Sequence, residues 1–101
     1  MTSAGFVTEV VDLFIKEGND EIETMRASIE TGDAQGLHRG AHRLKGSALN
    51  LGCAAVARSA QELESLAGGG TIEGAGVIID RLADEFDRTA AVLRIQAAQA
   101  A

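Results

Sequence analysis

Apolar residues recur at intervals of three and four along almost the whole chain, and this spacing is the repeat of an amphipathic α-helix. The chain contains no proline, which would interrupt such helices, and its only aromatic residues are three phenylalanines. It therefore offers little of the β-branched and aromatic material from which sheets are usually built. A length of 101 residues suits one domain. We predict a single all-α domain over residues 1–101.

Glycines and capping residues divide this pattern into five predicted helices. Their ranges are residues 3–17, 19–31, 34–51, 53–67 and 71–96. Gly18 is predicted to end the first helix and Asp33 to cap the third. Thr71, which follows a run of three glycines, is predicted to cap the fifth. Because the short connections leave no room for a crossover, we expect an up-down-up-down four-helix bundle with an additional N-terminal helix.

The charges are distributed unevenly along the chain. The net charge is −6, yet all fifteen acidic residues fall within 9–33 and 62–87, and residues 34–61 have none. This middle segment carries four of the nine basic residues, so it is +4 and the rest of the chain is −10. The overall acidity argues against a nucleic acid as partner, and the scarcity of aromatic rings argues against stacked bases or flat cofactors.

Nothing in the sequence indicates secretion or a membrane partner. Cys53 is the only cysteine, so no internal disulfide can form. Residues 1–11 have neither the basic head nor the apolar run of a signal peptide. We therefore predict a cytoplasmic location.

The third predicted helix places a histidine at the edge of its apolar stripe. On a helical wheel, His38, His42, Lys45 and Leu49 cluster beside that stripe, so His42 is expected at the border between core and solvent. Gly46 lies one turn beyond His42, although a glycine inside a helix costs about 1 kcal/mol relative to alanine. Some other contribution should compensate for this cost.

Two interpretations of the glycine remain open at this point. In the first, Gly46 leaves space for another protein to approach His42, and Lys45 and Arg39 can reach an anion bound there. In the second, Gly40 or Gly46 allows close packing of helices, and the exposed histidine has no function.

Other kinds of site have weak support. His38 and His42 have the i, i+4 spacing that can bind one metal ion, but two ligands do not complete a site. Cys53 is about 15 Å from His42 along the helix axis, too far to share an ion or to act with it as a nucleophile. The glycine run at residues 68–70 lacks the preceding strand and the following Lys-Ser or Lys-Thr of a phosphate-binding loop. We expect no metal site, no nucleotide site and no kinase activity.

The segment Ala41–Gly52, with Val56 and the pair Leu63-Glu64, resembles the signature of histidine-containing phosphotransfer (HPt) domains of bacterial two-component phosphorelays. The specific part is a histidine followed by Leu-Lys-Gly at two, three and four residues and by another glycine at ten. A looser likeness extends over roughly 90 residues. Arg43 departs from the pattern, since a small or hydroxyl residue commonly follows the histidine in the family.

The resemblance implies a carrier that accepts a phosphoryl group on His42 from a receiver-domain aspartate and passes it to another receiver. It assigns Lys45 as the cation near the phosphoryl group, Gly46 as the small residue that admits the receiver, and Glu64 as a polar residue that orients the histidine. It also implies that the domain has no cofactor of its own, and that the partner receiver supplies the Mg²⁺. We expect a monomer whose partners are response-regulator receiver domains, with a hybrid histidine kinase as a further candidate partner.

Alternative functions differ in how they use the same surface. One is a helical docking module that binds receiver domains or kinases without being phosphorylated, and the presence of His42 favours the carrier over it. The other alternative is an enzyme that transfers phosphate on its own, but no acid–base pair or metal cluster in the sequence supports it. The start at Met1 favours a stand-alone carrier, although a domain excised from a hybrid kinase would look similar.

Overall fold

The computed structural model describes residues 3–100 and contains four α-helices in that range. Helix α1 covers Ser3–Thr31, α2 covers Ala34–Asn50, α3 covers Ala54–Gly68 and α4 covers Ala75–Gln99. No strand occurs among these residues, so the prediction of an all-α fold is confirmed. None of the helices within residues 3–100 combines the length and apolar character needed to cross a membrane.

Helix α1 continues through Gly18, where the sequence analysis placed the end of a separate helix. Gly18 is buried, and a Cβ atom built on it would lie 2.2 Å from Cζ of Phe86 on α4. The glycine therefore serves the close approach of α1 and α4 instead of ending a helix. The predicted helices 3–17 and 19–31 are one helix, and the prediction of an additional N-terminal helix is wrong.

The remaining boundaries differ from the predicted ones mainly at the last helix. Asp33 caps α2, since its carboxylate accepts a hydrogen bond from the backbone N–H of Gly36 at 2.9 Å. Thr71 does not cap α4: its hydroxyl accepts a hydrogen bond from the backbone two residues later, and the helix begins only at Ala75. The intervening turn needs Gly74, whose φ of +83° lies in the left-handed region.

Each helix packs against two neighbours, in the closed order α1–α2–α3–α4–α1. Between α1 and α4, Arg26 pairs with Asp80, and the rings of Phe14 and Phe86 lie 5.4 Å apart. The later residue of α1, Arg26, thus pairs with the earlier residue of α4, Asp80, and the earlier Phe14 pairs with the later Phe86. These two helices therefore run antiparallel. The molecule is elongated, with extents of 45 × 20 × 18 Å.

The core lies along the axis where the four apolar faces meet, and every helix contributes to it. Its largest fully buried side chains are Met25, Leu37, Val56, Leu63, Ile79, Leu82 and Phe86. Full burial of one such side chain stabilises a fold by roughly 1.5–3 kcal/mol. This core fixes α2 against α3, which is what determines the geometry of the site described next.

Candidate functional site

His42 stands on the surface of α2, with 67% of its side chain accessible to solvent. The backbone beneath it is anchored, because its neighbours Ala41 and Leu44 are buried in the core. The ring nitrogen Nδ1 lies 3.1 Å from Oε2 of Glu64 on α3. A rigid helix therefore presents an exposed imidazole with one of its two nitrogens held.

Glu64 determines which nitrogen of His42 carries the hydrogen. The pKa of Glu64 is lowered, chiefly by a hydrogen bond from Lys45 and further by the one from His42, against an opposing effect of desolvation. An ionised carboxylate can only accept hydrogen bonds, so in the neutral ring the hydrogen is assigned to Nδ1. Nε2 is then left with a free lone pair, and it has no hydrogen-bond partner among residues 3–100.

Lys45 lies one turn further along α2 and turns toward α3. Its ammonium group donates to Gln61 Oε1 at 3.0 Å, and it lies 3.0 and 3.1 Å from the two oxygens of Glu64. Only 21% of the Lys45 side chain is exposed, so it is held against α3. One carboxylate thus serves both the imidazole and the lysine.

Gly46 and Gly40 occupy opposite environments on α2. A Cβ atom on Gly46 would meet no atom within 4 Å, whereas one on Gly40 would lie 2.7 Å from Cγ of Met25. Close helix packing therefore explains Gly40 and does not explain Gly46. The surface beside His42 is open at Gly46.

Arg39 lies one turn before His42 and is exposed. In the described part of the chain it has no ion pair or side-chain hydrogen bond. Its guanidinium group is therefore available to an anion that approaches α2 from solvent.

The other histidine and the cysteine lie apart from this site. The ring of His38 packs beside Gly68, with Cδ2 3.4 Å from the position that a Cβ there would take. The Cys53 thiol is buried, and that burial raises its pKa. No group of three or more His, Cys, Asp or Glu residues within 3–100 is arranged to hold a metal ion.

Two contacts from other helices were missed by the sequence analysis. Glu21 on α1 accepts two hydrogen bonds from Arg43, at 2.9 and 3.1 Å, and Gln61 on α3 accepts one from Lys45. Gln61 precedes Glu64 by three residues, so a helix that turns Glu64 toward Lys45 also turns Gln61 that way. Because Glu21 and Glu64 pair with two of its cations, the segment 34–61 presents less positive charge than its sequence indicates.

A family model described as "Hpt domain" matches residues 9–92. The chain is also similar to the crystal structure of histidine-containing phosphotransfer protein B (HptB) from Pseudomonas aeruginosa PAO1, with a TM-score of 0.86 and 27% sequence identity. That similarity covers 89% of this chain and 78% of the other. A search of curated protein sequences finds no match.

Proposed function

The chain belongs to the Hpt domain family, and from this premise we propose that it is a phosphorelay intermediate. His42 accepts a phosphoryl group from the aspartate of one receiver domain and passes it to another receiver domain. The observation that carries the proposal is the state of His42: Nδ1 is hydrogen-bonded to Glu64, and Nε2 is unpaired on an exposed ring. Phosphotransfer proteins of this family are phosphocarriers rather than kinases, and we propose no autonomous kinase activity here.

In the proposed step, the Nε2 lone pair of His42 attacks the phosphorus of the receiver's aspartyl phosphate. An N–P bond forms as the P–O bond breaks, and its electron pair stays on the aspartate carboxylate. The ring becomes a phosphoimidazolium that keeps its hydrogen on Nδ1, beside the Glu64 carboxylate. Glu64 therefore acts as a positioning residue whose negative charge also stabilises the positive ring. Transfer to a second receiver reverses the same step.

Lys45 and Arg39 are proposed to stabilise the phosphoryl group once it is on the ring. A phosphoryl group brings a charge of about −2, and its transfer depends mainly on alignment and on nearby cations. The ammonium group of Lys45, which is held against α3, would turn outward, while the guanidinium group of Arg39 is already unpaired. Gly46 leaves the space into which the receiver approaches, and the Mg²⁺ is proposed to come with that receiver.

We also propose an up-down-up-down bundle for the four helices and a cytoplasmic monomer for the protein. The bundle is supported by the closed order of helix contacts and by the antiparallel direction of α1 and α4. Helices α2 and α3 are also antiparallel, because His42 lies opposite Glu64 while the later Lys45 lies opposite the earlier Gln61. The cytoplasmic location depends on the sequence arguments alone.

The test is incubation with phosphorylated receiver domains from the same genome. We expect an acid-labile, base-stable phosphate on the wild-type protein, its loss in His42→Gln, and its retention in the matched control His38→Gln. Labelling that survives His42→Gln, or none with any receiver, would contradict the proposal. Stable binding of receivers without labelling would favour the docking module instead.

A further inference from the structure

The side-chain amide of Gln61 on α3 is held by a hydrogen bond at each of its two polar atoms. Its side-chain N–H donates to Ser65 Oγ at 2.9 Å, one turn further along α3. Its oxygen is thereby left facing Lys45, whose ammonium group donates to it at 3.0 Å. The opposite orientation would place an N–H against a cation, so Ser65 and Lys45 favour the same arrangement of the amide.

The positions of the two acceptors on α3 determine where the lysine is held. Glu64 is level with His42, whereas Gln61 lies one turn away and is level with Lys45 itself. Gln61 therefore holds the ammonium group at the end of the site that is further from the imidazole. A lysine that moves toward a phosphoryl group on His42 loses the contact with Gln61 first.

We infer that Gln61 is a positioning residue that holds the ammonium group of Lys45 against α3 in the unphosphorylated protein. It thereby makes the phosphohistidine a better donor of its phosphoryl group. This inference rests on the proposed phosphotransfer function. A contact that exists in only one of two states shifts the equilibrium between them toward that state. In the proposed phosphorylated state Lys45 turns to the phosphoryl group and gives up its hydrogen bond to Gln61, so this bond favours release of the phosphoryl group to a receiver.

The experiment measures the ratio of phosphohistidine to phosphoaspartate at equilibrium with one receiver. Gln61→Met removes the acceptor, and we expect the ratio to rise about threefold to tenfold, as for the loss of one typical side-chain hydrogen bond. Gln61→Glu should lower the ratio, because a carboxylate holds Lys45 more strongly and repels the phosphoryl group. Gln99→Met, the same substitution near the end of α4, should leave it unchanged.

A second set of variants separates positioning from a structural effect. In a Lys45→Met background, Gln61→Met should no longer change the ratio, because the residue acts through the lysine. Ser65→Ala, which only loosens the amide, should raise the ratio about twofold. An unchanged ratio in both Gln61→Met and Ser65→Ala would overturn the inference. So would a Gln61→Met substitution that raises the ratio equally in the wild-type and Lys45→Met backgrounds. Absence of phosphate on the wild-type protein would instead overturn the proposed function itself.

Discussion

On the side of α2 that faces α1, Gly40 is closed in by Met25, and Arg43 is held by two hydrogen bonds from its guanidinium group to Glu21. On the side that faces solvent, a Cβ atom built on Gly46 would meet no atom of a neighbouring element within 4 Å, and His42 is exposed. Both sides contain a glycine and a basic or titratable side chain. Contacts on the first side fix the helix, and that anchoring allows the second side to remain uncovered without losing its geometry.

Substituting glutamine for each glycine gives the largest expected contrast between the two sides. Gly40→Gln must displace Met25, and overpacking of this kind destabilises a fold by about 1–3 kcal/mol. Gly46→Gln places its Cβ atom in open space and removes a helix-interior glycine, so we expect up to about 1 kcal/mol of stabilisation. Chemical denaturation of both variants measures these changes.

The same pair should separate in phosphotransfer. Gly46→Gln places a side chain where the receiver approaches, so initial rates should fall about tenfold, or ~1.4 kcal/mol in the barrier. Folded Gly40→Gln should transfer at nearly the wild-type rate. If Gly46→Gln transfers as fast as the wild type, the open surface at this residue is not the receiver's path.

A smaller contrast is expected between the two carboxylates that pair with α2. Glu64→Gln keeps a hydrogen-bond acceptor near His42 but removes the charge beside the phosphoimidazolium, so phosphorylation should slow about fivefold. Glu21→Gln affects only the Arg43 contact, and an exposed ion pair of this kind is worth about 0–1 kcal/mol of stability. Phosphorylation rates for the two variants provide the measurement, and equal rates would remove the distinction between the two sides.

The smallest expected effect is in the pH dependence of stability. The pKa of Glu64 is lower in the folded protein, mainly because of the hydrogen bond from Lys45. A carboxyl group with a depressed pKa stabilises the fold above its unfolded pKa of about 4.3, and this contribution is lost as the pH falls through the folded value. The difference in unfolding free energy between wild type and Glu64→Gln should thus be larger at pH 7 than at pH 3. A difference independent of pH would contradict this account of Glu64.

The helical content could be predicted from the sequence because each apolar stripe repeats within its own helix. The predictions at Gly18 and Thr71 failed because they depend on tertiary structure. A glycine inside a helical pattern looks the same whether it ends the helix or admits a ring, and Phe86, the ring in question, belongs to the last helix. Likewise, the hydroxyl of Thr71 can accept from a turn as readily as from a helix.

Within the site, sequence spacing relates only residues that share a helix. His42, Lys45 and Gly46 lie on α2, so their proximity follows from the helical repeat. Gln61 and Glu21 come from α3 and α1, and the rotation of those helices is determined by core packing. Their contacts with Lys45 and Arg43 can therefore be identified only in the structure. The role of Glu64 follows from the family resemblance and not from sequence spacing.

The central claim is that Nε2 of His42 carries the phosphoryl group while Glu64 holds the hydrogen on Nδ1. Nuclear magnetic resonance of ¹⁵N-labelled protein, phosphorylated by a receiver domain, tests this claim directly through coupling between phosphorus and the ring nitrogens. We predict coupling to Nε2 of His42, a protonated Nδ1 on the same ring, and an unmodified His38. Coupling to Nδ1 of His42, or phosphate on His38, would contradict the account.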